Sequence, residues 1–551
     1  MAKMYIKNVS SLEKVLPKTI CELPEVNRAT ALLGEEFSYQ IAFKASKNDW
    51  CAHEMELEVE SDISDGISVY NVRCVPVLMS HFYNFIDNNY ISDEPALIPD
   101  FLEPYESSVK VSPRTWCAVW VSVKISDPAK AGHHKIAIRF KKEGVVWGES
   151  IFELEIIDKE LPKLDIPYTN WFHSDCIASY YGCEPLSEKH WELIDSFMHL
   201  AGEHGINMIL TPIFTPPLDT KVGAERPTIQ LVDVSFDGDR YSFNFDKLSR
   251  WLDLCSKNGI EYIEISHLFT QWGAEHAPKI VVSTSKGNVK KFGWETDALS
   301  EEYKVFLTEL LPPLKRFLSE NWDKEKVYFH LSDEPNEKHI EHYGEIFKFL
   351  KPLLGDFKQL DAISDYDIYS KGYIETPVVA TSAINNFLDK NIENLWAYYC
   401  CSEGNNNLSN RFIAMPSSRN RIMGIQLYKY DVKGFLQWGY NFYYSRLSTY
   451  MINPYLTNDA DYGFPAGDSF SVYPGMKGAL PSLRLKVFHE ALQDLMAAKL
   501  LESYVGRDAV MKLIESEEVI TFTSYPASST YQPELRERIN QMIKCTFEGT
   551  K

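Results

Sequence analysis

Several features that assign chains to common classes are missing from this sequence. None of its 551 residues belongs to an apolar run long enough to cross a bilayer as a helix. Residues 1–29 also lack the apolar core of a secretory signal. We therefore predict a cytoplasmic protein with no membrane partner, although a secreted chain whose signal peptide had been cleaved would read the same.

Paired cysteine motifs are absent as well. No CxxC spacing occurs, which argues against a zinc ribbon and a disulfide scaffold; the ten cysteines are Cys21, Cys51, Cys74, Cys117, Cys176, Cys183, Cys255, Cys400, Cys401 and Cys545. Free thiols in a reducing compartment are the simplest interpretation. The sequence also shows no glycine-rich phosphate loop, no nucleophile elbow and no histidine spacing typical of a metal site, so we expect no metal and no cofactor.

Basic residues are too few to balance the acidic ones. Lysine and arginine number 56 against 77 aspartates and glutamates, which gives a net charge of −21 at pH 7 and an isoelectric point near 5.2. Such a surface repels phosphate backbones, so nucleic acid is not an expected partner. Aromatic residues make up 13% of the chain, and their faces suit the C–H faces of sugar rings as well as protein cores.

The first part of the chain has the alternating pattern of antiparallel β-structure. Between residues 35 and 160, apolar side chains recur at every second position in several segments, for example Phe37, Tyr39, Ile41 and Phe43. Such strands, separated by Gly, Asn, Asp or Pro, predict a β-sandwich domain over residues 1–160. Residues 81–108 break the pattern with prolines and acids, and we predict a long excursion between strands there.

After Pro162 the pattern changes to short apolar runs that alternate with helical segments. Eight runs are predicted strands: 167–173, 207–213, 261–267, 327–333, 358–363, 377–381, 394–400 and 433–440. The helices predicted between them are 187–204, 245–258, 299–320, 337–354 and 407–423. This order predicts a (β/α)8 barrel of the TIM type over residues 161–505. An amphipathic helix at 483–503 leads into a small mixed appendage, residues 506–551, and the sequence indicates no oligomeric state.

The most informative segment is VYFHLSDEPN, residues 327–336, in which an apolar strand runs into Asp333 and Glu334 before a proline ends it. Active sites of such barrels gather at the carboxyl ends of the strands. Two neighbouring carboxyl groups repel each other, so one pKa should be raised, as a general acid beside an ionised partner requires. The same tripeptide at Asp93–Pro95 follows no strand and predicts a solvated loop. The alternative for the second copy is that Ser332 or Asp333 caps a helix starting near the proline.

The adjacency of the two acids bears on mechanism. The two carboxyl groups of a conventional retaining glycosidase stand about 5 Å apart on opposite sides of the scissile bond, and those of an inverting enzyme stand further apart. Neighbours at one strand end serve one side more easily. Glu334 would then protonate the leaving oxygen, while Asp333 holds the acetamido group of a 2-acetamido sugar whose carbonyl oxygen attacks the anomeric carbon. This hypothesis makes Asp333 and Glu334 the catalytic residues.

Other predicted strand ends carry side chains that could bind a sugar; they are His173, His267, Asp365, Tyr398, Trp438 and Asn441. Structural alternatives exist for these candidates. The histidines could be satisfied core residues, Asp365 could start a turn, and Trp438 could belong to the barrel core. Tyr398 and Tyr399 point to opposite faces of their strand, so at most one should face the pocket, and we favour Tyr398.

Four segments of the chain resemble glycoside hydrolase family 123, the β-N-acetylgalactosaminidases. They are the Asp-Glu-Pro strand end at 333–335, KGFLQWGYNFYYSR at 433–446, GDSFSVYPG at 467–475 and SLRLKVFHEALQDLMAAKLLE at 482–502. A β-sandwich before the barrel also matches, so the resemblance covers most of the chain. It implies that Glu334 is the general acid/base and that Asp333 orients the acetamido group.

The resemblance further implies β-linked N-acetylgalactosamine as the substrate, released with retention and without a metal, in a pocket walled by Trp438 and Tyr398. The missing export signal departs from what enzymes that degrade external glycans need. The expected partner is an oligosaccharide or glycoconjugate substrate, and the missing signal favours an imported oligosaccharide.

Two other hypotheses fit the same residues. In one, Glu334 is the acid and a distant carboxylate, Glu264 or Asp365, is the nucleophile, which would allow sugars that lack an acetamido group. In the other, the barrel binds carbohydrate without turning it over.

Overall fold

The computed structural model describes residues 4–18, 23–46, 49–335 and 337–549. Two five-stranded sheets form the N-terminal part of the chain, and a closed barrel forms the centre of the C-terminal part. Cys21 lies outside the described residues, and the nine cysteines that are described are free thiols, as predicted. No helix in the described ranges combines the length and the apolar surface that crossing a bilayer requires.

Ten strands build the N-terminal sheets: β1 (Met4–Ser10), β2 (Arg28–Leu33), β3 (Glu36–Ala45), β4 (His53–Glu60), β5 (Ile67–Val77), β6 (Ala96–Pro104), β7 (Val109–Val111), β8 (Cys117–Lys124), β9 (Gly132–Lys142) and β10 (Val145–Glu160). The orders are β1-β3-β8-β5-β6 and β2-β10-β9-β4-β7. Neighbours pair antiparallel except β2 and β10, which are parallel. Alternating residues of both sheets, such as Ile41, Val121, Ile138 and Phe152, share one buried core, which confirms the period-2 interpretation.

The excursion predicted at 81–108 is only partly a loop. Its second half contains β6, which pairs antiparallel with β5. Pro99 and Pro104 hid this strand in the sequence, but β6 lies at the edge of its sheet, where proline is tolerated because one side of the strand needs no ladder partner. Asp93–Pro95 is an exposed loop before β6, as predicted.

Fourteen strands follow: β11 (Tyr168–Asn170), β12 (Met208–Thr211), β13 (Asp233–Phe236), β14 (Tyr241–Asn244), β15 (Tyr262–Ile265), β16 (Ile280–Thr284), β17 (Gly287–Phe292), β18 (Val327–His330), β19 (Lys358–Ala362), β20 (Thr376–Ala380), β21 (Trp396–Tyr398), β22 (Gly434–Gln437), β23 (Val472–Gly475) and β24 (Gly478–Pro481). The closed barrel runs β11-β12-β15-β18-β19-β20-β21-β22 with every pair parallel. The eight predicted runs coincide with these eight strands.

The helices are α1 (Ser174–Tyr181), α2 (Glu188–Glu203), α3 (Asp246–Lys257), α4 (Glu301–Asn321), α5 (Ile340–Leu354), α6 (Tyr366–Tyr369), α7 (Asn385–Leu388), α8 (Ser417–Arg421), α9 (Met423–Lys429), α10 (Leu483–Val505), α11 (Arg507–Ile514) and α12 (Tyr531–Gly549). Four predicted helices coincide with α2 to α5. The helix predicted at 407–423 is wrong, because helical structure begins only at Ser417. Asn406 and Asn407 have positive φ angles and Pro416 follows, so the preceding residues form a loop.

Strand alternation divides the side chains of the barrel into an inner and an outer layer. Met208 and Leu210 of β12 lie in the interior cluster, whereas Ile209 between them packs in the surrounding core. The same alternation on β15 and β18 places Ile263 and Phe329 in the outer core. Glu264 and His330, the next residues along, therefore sit near the carboxyl end of the barrel with no exposed surface.

The C-terminal segment ties the two parts together. α10 is buried on most faces instead of being amphipathic, because α8, α9, α12 and the N-terminal part cover it. Residues 506–549, predicted as a mixed appendage, carry helices and no strand. In α12, Glu537 accepts hydrogen bonds from the backbone N and the hydroxyl of Thr30 in β2, at 3.0 and 2.7 Å. Asn540 donates to the carbonyl oxygen of the same threonine at 3.2 Å.

A buried ion pair joins β6 to α10, and its removal tests this junction. Arg484 donates two hydrogen bonds to Asp100, at 2.7 and 2.9 Å, and Tyr473 donates a third at 2.6 Å. We expect Asp100→Asn to lower the free energy of unfolding by about 3–5 kcal/mol, because the arginine is left buried without its counter-charge. Urea unfolding followed by tryptophan fluorescence measures the change.

The matched control is Glu103→Gln, three residues along the same strand. Its partner Arg73 and Glu103 itself are 46% and 42% exposed, so we expect a loss of no more than about 1 kcal/mol. Equal losses in the two variants would contradict a structural role for the buried pair.

Candidate active site

The predicted acid pair lies where the backbone leaves β18 at the carboxyl end of the barrel. Three hydrogen bonds fix this turn. The backbone N of Ser332 donates to Asp361 Oδ2 at 3.1 Å, and its hydroxyl donates to the Thr270 carbonyl at 2.8 Å. The backbone N of Trp272 donates to the carbonyl of Asp333 at 2.8 Å. The neighbouring strand β19 and the loop after β15 therefore hold the acid pair from both sides.

Asp333 and Ser332 do not cap a helix, which was the structural alternative for this segment. The next α-helix, α5, begins at Ile340 with His339 at its N-terminal cap. Glu334 instead adopts a left-handed backbone conformation with φ of 48°. This conformation costs a residue with a Cβ about 1–2 kcal/mol. Backbone strain of this kind is concentrated at functional sites, where the surrounding contacts enforce it.

The strained turn directs Glu334 across the mouth of the barrel. Tyr398 at the end of β21, three strands away, donates a hydrogen bond from its hydroxyl to Glu334 Oε1 at 2.5 Å. The hydroxyl of Ser364 lies 3.4 Å from the same tyrosine oxygen. Tyr399 points to the other face of β21, where its ring packs against Phe435. The structure thus selects Tyr398 as the tyrosine that faces the mouth.

Both acids are reached by solvent although protein lies close to them. Glu334 is solvent-exposed and Asp333 is partly exposed, with protein close to both carboxyl groups. Removal from bulk solvent raises the pKa of Glu334, although the Tyr398 hydroxyl acts in the opposite direction. The pKa of Asp333 is raised well above its usual value by burial and by the neighbouring charge of Glu334. A carboxyl group that holds its proton readily beside a second acid is suited to general acid catalysis.

A buried polar network lies directly beneath the pair. His330 Nδ1 is 2.8 Å from Glu264 Oε1, and its Nε2 is 3.5 Å from Asp361 Oδ1. Glu264 also accepts hydrogen bonds from Thr169 at 2.6 Å and from the indole of Trp171 at 2.9 Å. Burial by itself would lower the pKa of His330, but the two carboxylates outweigh it and raise this pKa to about 10.

His267 and Asp365, two of the predicted sugar-binding residues, lie in different surroundings. His267 is fully buried, with its ring stacked on that of His330 at 3.9 Å between centroids. Neither of its ring nitrogens has a hydrogen-bond partner among the described residues. Asp365 is exposed and caps α6, where its Oδ1 accepts from the backbone N of Asp367 at 2.8 Å.

His173 and Asn441 lie behind the mouth instead of lining it. Both are buried, and the backbone N of His173 donates to Asn441 Oδ1 at 2.8 Å. His173 Nε2 donates to the Trp438 carbonyl at 2.9 Å, while Nδ1 faces Arg226 at 3.2 Å. Burial and the Arg226 charge lower the pKa of His173 to about 3, so the ring is neutral. These contacts fasten the turn after β22 to the end of β11.

Trp438 occupies the mouth next to Tyr398, since β22 adjoins β21. Its ring is partly exposed and packs edge-on against Phe464 and Phe442, with centroids 5.0 and 5.2 Å away. Its indole N–H donates to Asp468 Oδ2 at 2.9 Å. Burial raises the pKa of Asp468 to about 7. The ring is therefore held in one orientation with part of its surface open to a ligand.

The sequence did not single out three residues of this site. Glu403 is fully buried and accepts hydrogen bonds from the backbone N of Cys400 and from Ser382, at 2.8 and 2.7 Å. Its charge adds to the raised pKa of Glu334. Glu403 lies in an irregular loop, while His330 and Asp361 lie within strands, so no motif or spacing marked them.

Two clusters of the described residues are compact enough to be considered for a metal. Asp49, Cys51 and His53 lie near the surface of the N-terminal part, and His267, His330 and Asp333 lie beneath the mouth, with ligand atoms within 4.8 Å of one another in each cluster. In the second cluster the ring of His330 stacks on that of His267, and His330 Nδ1 is bonded to Glu264. His330 Nε2 and both ring nitrogens of His267 have no hydrogen-bond partner among the described residues, and we assign no metal to the cluster.

A family model and a solved structure that resemble this chain both belong to the same family. The family described as glycoside hydrolase 123, catalytic domain, matches residues 171–501, which is more than half of the chain. A search of curated proteins finds no match. Among solved structures, a family 123 glycoside hydrolase from Clostridium perfringens, studied for glycolipid glycan hydrolysis, aligns over 100% of this chain and 98% of its own, with a TM-score of 0.70 and 15% identity.

Two further solved structures are similar only in part. A glycosyl hydrolase family 2 member from Bacteroides cellulosilyticus covers 78% of this chain and 45% of its own, with a TM-score of 0.26 and 10% identity. A Bacteroides ovatus GH5 xyloglucanase covers 85% and 98%, with a TM-score of 0.28 and 8% identity. Neither similarity carries an argument about function. The match over residues 171–501 does, and the chain therefore belongs to the glycoside hydrolase 123 catalytic-domain family and is a glycoside hydrolase.

Proposed function

We propose that this enzyme releases terminal β-linked N-acetylgalactosamine from glycans by substrate-assisted catalysis with retention of configuration. The observation that carries the proposal is the position of Asp333 and Glu334, two neighbouring acids with raised pKa values on one side of the barrel mouth. Two acids on one turn cannot stand on opposite sides of a sugar ring. They can act together on a substrate that brings its own nucleophile.

In the first step, Glu334 donates its proton to the glycosidic oxygen. The carbonyl oxygen of the 2-acetamido group attacks the anomeric carbon from the opposite face, and the bond to the leaving group breaks. Asp333 accepts a hydrogen bond from the acetamido N–H, which orients the carbonyl oxygen and stabilises the positive charge of the oxazolinium intermediate. The aglycone leaves with the proton from Glu334.

In the second step, the ionised Glu334 removes a proton from water. The water oxygen attacks the anomeric carbon and reopens the oxazoline ring, so the sugar leaves with its original configuration. Tyr398, 2.5 Å from Glu334, supports this alternation because its hydroxyl stabilises the carboxylate after proton donation. Trp438 offers the wall against which the sugar ring packs.

The structure disfavours the hypothesis of a distant carboxylate nucleophile. Glu264 has no exposed surface, and its oxygens accept hydrogen bonds from Thr169, Trp171 and His330. Asp365 is engaged as the cap of α6. Neither carboxylate is presented to the mouth as an attacking group.

We further propose that the closed parallel barrel is a (β/α)8 barrel of the TIM type. It would form the catalytic domain, residues 161–505, between a β-sandwich and a C-terminal segment. His173 and Asn441 act indirectly by holding the turn that carries Trp438. An oligosaccharide or the glycan of a glycoconjugate is the proposed substrate, as in the Clostridium relative.

Replacing the two acids tests their roles. We expect Glu334→Gln to lower kcat on unactivated glycosides by about 10²–10⁴-fold, because general acid catalysis is lost. Asp333→Asn should lower kcat by about 10²–10³-fold, because the amide cannot accept the acetamido N–H in the same way. Steady-state kinetics on an oligosaccharide substrate measure both. Full activity in either variant would refute the assignment.

A substrate panel tests the sugar and the mechanism together. Aryl β-N-acetylgalactosaminide should be hydrolysed faster than the corresponding glucosaminide, and the plain galactoside should not be hydrolysed, because it lacks the acetamido nucleophile. A thiazoline derived from N-acetylgalactosamine should inhibit competitively as an analogue of the oxazoline. Turnover of the galactoside without thiazoline inhibition would favour a two-carboxylate mechanism. Sugar binding without turnover of any glycoside would indicate a binding protein.

The hydrogen bond from Tyr398 makes a prediction about pH. Glu334 must carry its proton to act as the acid, so kcat/KM falls as pH rises through its pKa. The hydroxyl favours the ionised form and holds this pKa down, so Tyr398→Phe should move the descending limb of the pH profile to higher pH. Tyr399→Phe, on the opposite face of the strand, is the control and should leave the limb in place. An unchanged descending limb in Tyr398→Phe would show that this hydrogen bond does not set the pKa of the catalytic acid.

A further inference from the structure

The ring of His330 lies between two buried carboxyl groups. The residue is the last of β18 and has no exposed surface. Its Nδ1 meets Glu264 Oε1 at 2.8 Å on one side, and its Nε2 faces Asp361 Oδ1 at 3.5 Å on the other. Nδ1 is therefore hydrogen-bonded to one carboxyl oxygen, and Nε2 lies at ion-pair distance from a second one without forming a hydrogen bond.

Those carboxyl groups act as acceptors toward all their other partners. Glu264 Oε2 accepts from Thr169, and Oε1 accepts from the indole of Trp171, which can only donate. Asp361 Oδ2 accepts from the backbone N of Ser332 at 3.1 Å and from the hydroxyl of Tyr343 at 2.8 Å. The ring of His330 thus lies at ion-pair distance from two carboxyl groups that accept hydrogen bonds from all their other partners, and two flanking negative charges favour the imidazolium form.

The position of this ring relative to the acid pair gives it a role. A nitrogen of His330 and an oxygen of Asp333 lie within 4.8 Å of each other, together with a nitrogen of His267. The groups that face this point are Glu264 from β15, Asp361 from β19 and Glu334 from the turn itself. Tyr343 of α5 reaches only Asp361. The imidazolium is thus the positive charge nearest to Asp333 among these groups.

We propose that His330 is a positioning residue, an imidazolium clamped by Glu264 and Asp361 whose charge keeps Asp333 available as the carboxylate that receives the acetamido group. The inference rests on the function proposed above and adds a residue to it. Burial and the charge of Glu334 oppose ionisation of Asp333, and His330 is the group that lowers the pKa of Asp333 against them. Asp361 also holds the backbone of Ser332, so the clamp fixes both the charge and the turn that carries the acids.

The test is the pH profile of His330→Gln on aryl β-N-acetylgalactosaminide. Asp333 must be ionised to accept the N–H, so kcat/KM rises as pH rises through its pKa. Loss of the imidazolium raises that pKa, and we expect the ascending limb to move to higher pH. Below the limb, kcat/KM should fall about tenfold for each pH unit of displacement. An ascending limb that stays in place would overturn the proposal.

A second variant is needed in case His330→Gln does not fold, because it leaves the carboxylates of Glu264 and Asp361 buried without a cation. The double variant His330→Gln/Glu264→Gln removes one positive and one negative charge, so the net charge of the buried cluster does not change. It also lacks a cation beside Asp333, so its ascending limb should move in the same direction, but by less, because the charge of Glu264 that raises the pKa of Asp333 is lost as well. His267→Phe is the matched control, because the stacked ring is kept and its nitrogens have no hydrogen-bond partner to lose. Its ascending limb should coincide with that of the unmodified enzyme.

A spectroscopic readout separates this inference from the catalytic proposal. In enzyme labelled with ¹⁵N-histidine, the signals missing from His330→Gln identify His330. Both nitrogens should show the shifts of protonated imidazolium at pH 7, because the pKa is raised to about 10 by Asp361 and Glu264. Neutral-ring shifts at pH 7 would refute the imidazolium even if Glu334→Gln behaves as expected. Imidazolium shifts with a fully active Glu334→Gln would refute the catalytic proposal alone.

Discussion

The contact between His330 and two buried carboxylates is the interaction on which the rest of the site depends. It sits under the turn that carries Asp333 and Glu334, and Asp361 joins the two by bonding to the backbone of Ser332. Acidic groups are costly to bury unless a positive charge and hydrogen bonds compensate them. The barrel interior provides the positive charge and the hydrogen bonds directly beneath the turn. Asp333 and Glu334 can therefore be held close together and still face the solvent.

Much of the barrel could be predicted from the sequence, because its strands are buried on both faces and read as short apolar runs between polar segments. The β-strands of the N-terminal part could be predicted equally well where one face is exposed to solvent, because apolar and polar residues then alternate. Prediction failed where backbone conformation depends on distant contacts. β6 carries two prolines that only an edge position explains, and the loop before Ser417 has an apolar pattern that its asparagines and proline override.

The position of Asp333 and Glu334 at the end of a barrel strand could be predicted from the sequence, whereas their surroundings could not. Asp333 and Glu334 follow an apolar strand directly, so local sequence was enough. The bond between Tyr398 and Glu334 joins residues 64 positions apart and depends on barrel closure, although strand alternation correctly separated Tyr398 from Tyr399. In the sequence His330 is indistinguishable from an ordinary strand residue, because nothing in the local pattern shows that Glu264 and Asp361 flank it.

The bonds from Glu537 and Asn540 of α12 to Thr30 of β2 connect the last helix of the chain to one of its first strands. Translation releases β2 long before α12 exists. Domains tend to fold as they emerge from the ribosome, N-terminal part first. In this enzyme Thr30 of β2 therefore lacks these partners until α12 has been synthesised. A nascent chain halted anywhere before α12 would therefore present an open surface of β-structure to chaperones.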